Sequence, residues 1–171
     1  MNKTESVFLK LLDDKIYHPA AARVIDEIAG RVEEQLRADT KSLMAWEPVP
    51  LDVYGSMPDL IRSSWVFILR ANADTGAERH PNSHQRAMSY RGFGAFRIME
   101  NDVWIPYTIV DQPGKPIDER WVSIPVNGWH HPIAGPENWV IVSFHTVPAD
   151  ELIEERMVGD DPSKTHQQLY L

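Results

Sequence analysis

Four of the seven histidines fall in two short clusters. The first is Arg79-His80-Pro81-Asn82-Ser83-His84-Gln85-Arg86. The second is Pro125-Val126-Asn127-Gly128-Trp129-His130-His131-Pro132. Neutral imidazole is a common ligand for Zn, Fe, Ni and Cu. On an ideal strand His80 and His84 share a face but stand about 13 Å apart, too far for one ion. Pro81-Asn82-Ser83 is turn chemistry, however, and a turn folds the two imidazoles toward each other. His130 and His131 are neighbours in an extended segment, so one of them points inward and spacing does not say which. The resulting set is His80, His84 and His130, with His131 as the alternative to His130. Three histidines hold a divalent ion and leave positions open for water or substrate. Fe, Mn, Ni and Zn all suit such a site.

Arg86 is the next residue of interest. His84, Arg86, Met88 and Tyr90 alternate onto one strand face. If His84 looks inward, so does Arg86, and an interior guanidinium needs an anion. A substrate carboxylate or phosphate would serve, gripped through two parallel hydrogen bonds. So would Glu78, Glu137 or an acid of the N-terminal segment. Residues 79–99 hold Arg79, Arg86, Arg91 and Arg97 and no acid. Arg91 and Arg97 have the opposite parity and face solvent or another subunit. Tyr90 and Tyr107 are candidate catalytic acids or bases. Trp129, beside His130, is placed to wall a ligand pocket, while the other tryptophans of the β-rich region pack the core. His145 reads as a satisfied core histidine, and His18 and His166 as structural or exposed.

The elements that must position these residues come in two kinds. Residues 5–38 read as two helices. Val7, Phe8, Leu11 and Leu12 mark the first, Pro19 opens the second, and Ile25, Ile28, Val32 and Leu36 form its apolar stripe. After the Pro48, Pro50, Gly55 and Pro58 stretch come runs rich in β-branched and aromatic residues, at 64–71, 88–99, 103–110, 120–126 and 138–147. Glu100-Asn101-Asp102 is a hairpin turn between the second and third. Gly92-Phe93-Gly94 signals a bulge or bend. Short strands without intervening helices predict an antiparallel sandwich or barrel. Residues 150–161 carry six acids against Arg156, which predicts a short solvated helix and a tail. The organisation is one domain: a helical extension over 1–45, a β-barrel over 46–150 and an acidic helix and tail over 151–171.

Composition excludes several classes. The chain has 171 residues, 43% of them hydrophobic, and a net charge of −8. That length suffices for one core. With no Cys, thiolate metal sites, disulfides and Cys nucleophiles are out. The negative charge argues against nonspecific nucleic-acid binding. No apolar run approaches the roughly 20 residues that span a bilayer. The N-terminus lacks the pattern of a secretory signal, so the cytoplasm is expected. Phosphate-loop, dinucleotide, HExxH and GxSxG signatures are absent.

The two clusters together resemble the cupin superfamily, the small jelly-roll barrels also called RmlC-like. The first cupin motif has two histidines, a glutamate and a glycine, and the second has Pro, Gly and His. His80 matches the first histidine, Gly92 the closing glycine, and Pro125 and His130 the second motif, with Asn127 where its glycine stands. Asn82 occupies the second histidine's place, and Gln85 or Arg86 the glutamate's neighbourhood. The resemblance implies a mainly β, antiparallel jelly-roll barrel, here with two N-terminal helices and a short C-terminal helix, and a homodimer. It implies a metal-dependent enzyme acting on a small anionic molecule, with dioxygenase chemistry first and lyase or isomerase chemistry next. A metal-free isomerase or epimerase, with His84 as base and Tyr90 or Tyr107 as acid, is the alternative. So is a barrel that binds a small ligand without chemistry.

Overall fold

A computed structural model describes residues 2–159 and 161–169. Two helices come first, α1 (Lys3–Ile16) and α2 (Pro19–Ala38). The Asn2 side chain caps α1 by accepting the Glu5 N–H at 2.9 Å. Pro19 opens α2, where its missing N–H costs nothing. Ile25, Ile28, Val32 and Leu36 are all buried, as their spacing predicts.

The strands are β1 (Met44–Pro48), β2 (Ser63–Leu69), β3 (Glu78–Arg79), β4 (Gln85–Arg91), β5 (Phe93–Glu100), β6 (Val103–Val110), β7 (Trp121–Ile124), β8 (His130–Ala134), β9 (Trp139–His145), β10 (Ile153–Val158) and β11 (Asp161–Leu169). They form two antiparallel sheets, ordered β1-β2-β9-β4-β7 and β11-β10-β3-β8-β5-β6. The sheets pack face to face as a jelly roll but do not close into a continuous barrel.

Two cores result. Between the sheets lie Trp65, Phe67, Leu69, Ala87, Phe96, Ile98, Trp139 and Ile141. Between the first sheet and the helices lie Val66, Ile68, Met88, Val140, Val142 and Phe144, against Leu12, Ile25, Ile28 and Val32. This explains why β2 and β9 read as mainly apolar runs with no polar alternation. They are buried at every position because both faces are covered. In β4, up to the register shift after Ser89, the odd residues turn between the sheets and the even ones turn to the helices, as Ala87 and Met88 show.

Two expectations are corrected. The run at 88–99 is two strands, broken at Gly92, whose φ of 82° is left-handed and whose added Cβ would meet the Asn138 carbonyl at 2.9 Å. The short C-terminal helix is instead the hairpin β10–β11. Its acids are not a solvated helix face: Glu155 pairs with Arg79 at 2.6 Å, and buried Glu154 with Arg156 at 2.7 Å. Antiparallel pairing with β3 supplies further backbone partners. Among the described residues no helix is long and apolar enough to cross a membrane.

Candidate metal centre

Strand β3, the turn that follows it and the start of β8 bring Glu78, His80 and His130 together. One potential ligand atom from each lies within 4.8 Å of the others, and all three residues are buried. His80 follows β3 directly, and its carbonyl accepts the Asn127 N–H at 2.9 Å, which ties the two sequence clusters together. Asn127 has φ 65°, so an amide residue adopts the left-handed turn that glycine makes most easily.

The backbone fixes both imidazoles. The His80 Nδ1 lies 3.0 Å from the Ile153 carbonyl and the His130 Nδ1 lies 3.1 Å from the Gly128 carbonyl. A carbonyl only accepts, so each Nδ1 carries a proton, and in the neutral ring it is Nε2 that bears the lone pair. The His130 Nε2 is buried without a hydrogen-bond partner, 3.4 Å from Glu78 Oε1. A lone pair facing a carboxylate is repulsive unless a proton or cation stands between them. The separation matches the edge of a tetrahedron with bonds of about 2.0–2.1 Å. The donor set therefore fits a divalent ion.

The surroundings favour this arrangement. Burial, and next the neighbouring His130, push the His80 imidazole down to about 4, which keeps it neutral near pH 7. Burial opposes ionisation of Glu78, but a proton on His130 Nε2, standing where a cation would, and then the charge of Arg156 outweigh it and hold the carboxyl low. Arg156 Nη2 sits 2.6 Å from Glu78 Oε2. His145, buried between Ser83 and Ser143, packs edge-on against His80 with ring centroids 5.0 Å apart. Burial first, and then His80, push its imidazole well down. Gln85 starts β4 with its side chain buried and its Oε1 unpartnered. A cavity of about 20 Å³ lies between Gln85 and Glu78, walled by Phe67, Leu69, Phe96 and Ile141. That is room for about one water.

The other residues singled out from sequence lie elsewhere. His84 faces the helices, with its Nε2 2.8 Å from Ser123 Oγ. Arg86 is on the same face. It donates to both carboxylate oxygens of Glu5, at 2.7 and 3.1 Å, and lies 4.7 Å over the Phe8 ring. The anion for this guanidinium is thus an acid of α1. Tyr90 donates to Asp26 Oδ1 at 3.1 Å and stacks on Tyr17. Burial, then Asp26, raise its phenol. Tyr107 donates to Glu100 and lines a separate cleft of about 460 Å³ where β7 faces β5. Trp129 is buried, with Arg79 4.5 Å over its ring. His131 turns outward to Asp74 and Trp104.

From sequence Glu78 reads as a candidate partner for Arg86 and not as a metal ligand, although the signal is present. Glu78 and His80 are two residues apart, the spacing that puts two side chains on one strand face. The His-x-His spacing of the first cupin motif is therefore met by Glu78-x-His80, two residues earlier than the sequence alignment set it. In that register Gln85, not Arg86, takes the glutamate's neighbourhood.

No family model and no curated protein sequence matches the chain. Solved structures do. The 11S globulin from Wrightia tinctoria, with an auxin binding site, aligns at 17% identity and a TM-score of 0.52, covering 68% of this chain and 28% of that one. Pumpkin seed globulin aligns at 16% and 0.51, covering 66% and 28%. CapF, with the inhibitor 3-isopropenyl-tropolone, aligns at 18% and 0.50, covering 64% and 29%. The chain spans about half or less of the structures it matches, from 24% to 51% of their length. The likeness establishes the cupin fold. Fold and site together define a cupin-fold chain with a buried Glu-His-His group able to hold a metal ion.

Proposed function

We propose that the chain is a metal-dependent enzyme of oxidoreductase type, with its divalent ion held by Glu78, His80 and His130. One observation carries the reading: the buried His130 Nε2, its Nδ1 taken by a carbonyl, faces Glu78 Oε1 at 3.4 Å, in a group whose third member is His80. A mixed carboxylate–imidazole set suits Mn, Fe, Ni or Zn. When bound, such an ion polarises an oxygen ligand or, if redox-active, supports oxygen chemistry. The chain's own residues do the rest. Ile153 and Gly128 hold the imidazole tautomers, and Arg156 holds Glu78. Gln85 presents its amide to the adjoining cavity, where it orients a small molecule. Phe67, Leu69, Phe96 and Ile141 give that cavity apolar walls. The cavity of about 20 Å³ favours dioxygen-sized molecules, and the organic partner in this reading is a small carboxylate that reaches the ligands by displacing part of that wall.

Oxygen uptake by Fe- or Mn-loaded protein, screened against short mono- and dicarboxylates, tests this. Turnover that scales with metal content and vanishes in His130→Ala is expected. Full metal loading with no uptake across the panel contradicts it. The small size of the cavity favours the second reading, an ion that fastens the β3 segment to β8 within one sheet without turnover.

A further inference from the structure

We propose that Arg156 is a positioning residue of the metal centre, and that β10 supports two of the three ligands. The inference rests on the metal-binding reading above. The sequence motifs end with β8, and β10 lies outside both. Yet the Ile153 carbonyl, on β10, accepts the His80 Nδ1–H at 3.0 Å. Three residues on, Arg156 reaches Glu78.

All three nitrogens of the guanidinium donate. Nη2 donates to Glu78 Oε2 at 2.6 Å, Nε to Glu154 Oε1 at 2.7 Å, and Nη1 to the Thr75 carbonyl at 2.8 Å. Gln168, on β11, donates to the same Glu154 oxygen at 3.0 Å, which steadies the clamp from the other strand of the hairpin. Because Arg156 occupies Oε2, Oε1 is the oxygen turned toward His130, 3.4 Å from its Nε2. Without Arg156 the Glu78 carboxylate is free to rotate away, and a buried negative pair, Glu78 with Glu154, loses the cation they share. Groups that hold a ligand from behind typically change metal affinity 10–100-fold.

The test separates positioning from general stability. Arg79–Glu155, at 2.6 Å, crosses the same β3–β10 pairing without touching Glu78. Arg156→Gln, Arg156→Lys and Arg79→Gln are compared with the unaltered chain. Zn(II) dissociation constants come from chelator competition, the ligand field from Co(II) visible absorption, and stability from thermal melts. Arg156→Gln is expected to weaken Zn(II) roughly 10–100-fold and to shift the Co(II) bands. Arg156→Lys recovers part of the loss, since one ammonium replaces one arm of the fork. It also carries the comparison if Arg156→Gln does not fold. Arg79→Gln lowers the melting temperature but leaves affinity and bands unchanged. Equal affinity losses in Arg79→Gln and Arg156→Gln overturn the proposal, as does an unaltered affinity in Arg156→Gln. If the unaltered chain binds no ion, the metal reading itself fails and takes this one with it.

Discussion

Glu5→Gln unpairs a guanidinium that the fold has buried. The Arg86 side chain is 4% exposed and that of Glu5 19%. Two hydrogen bonds join them, Ser123 donates to the same carboxylate at 2.7 Å, and Arg86 Nη1 is already without a partner. Removing one member of a buried ion pair costs about 3–5 kcal/mol, because the charge left behind is uncompensated. Gln keeps one acceptor and Glu5 sits near solvent, so the low end applies, about 3 kcal/mol. At about 2–4 °C per kcal/mol for a chain of this size, the midpoint falls by about 6–12 °C. Replacing both residues, Glu5→Leu with Arg86→Met, is expected to come within about 1 kcal/mol of the parent, since Phe8 and Met88 offer apolar surroundings. The pair also has a pH signature. Burial pushes the Glu5 carboxyl up, but hydrogen bonds from Arg86 and Ser123 and the Arg86 charge outweigh it and hold it below its ordinary 4.5. A carboxyl lowered on folding contributes stability above its unfolded value and loses it as pH falls through the folded one. The gap between parent and Glu5→Gln therefore holds from pH 7 to 5 and narrows below about 4.5. Urea unfolding across that range measures it. A cost under about 1 kcal/mol, the range of exposed pairs, would refute the reasoning, and so would a gap that persists unchanged at pH 3.

Two further outcomes follow from the two-core arrangement. Ile25→Ala, fully buried between α2 and the first sheet, should lower unfolding free energy by about 2–5 kcal/mol while leaving metal affinity of the folded chain unchanged. Urea titration beside equilibrium dialysis checks both halves. Gly94→Ala would set a Cβ 2.3 Å from the Trp139 ring and 2.6 Å from the Ile133 carbonyl, and backbone yields less than a side-chain end. It should cost about 1–3 kcal/mol or more and perturb the tryptophan near-UV signal.

Local patterns in the sequence were legible where one physical cause dominates. The α2 stripe reads correctly because a single face is buried, and β6 lies where its run and turn predict. The alternation of His84, Arg86 and Met88 was also correct, but its sense was reversed. Both faces of the first sheet are apolar, so nothing local says which one the helices cover. His84 and Arg86 went to the helices and Gln85 went between the sheets. The C-terminal hairpin is hidden in the sequence because Glu155 is neutralised from far away, by Arg79, although Glu154 pairs locally with Arg156. Glu78 reads from sequence as a candidate partner for Arg86 because a lone carboxylate carries no ligand signal of its own, although it stands two residues before His80 on the same strand face.

Metal stoichiometry tests the central claim most directly. Tag-free chain, stripped and then dialysed against Fe(II), Mn(II), Ni(II) or Zn(II), would be compared with His130→Ala and His84→Ala. About one ion per chain, lost in His130→Ala and kept in His84→Ala, is the predicted result, since His84 bonds Ser123 outside the cluster. No bound ion under any of the four metals, or binding that depends on His84 and not on His130, would contradict the account.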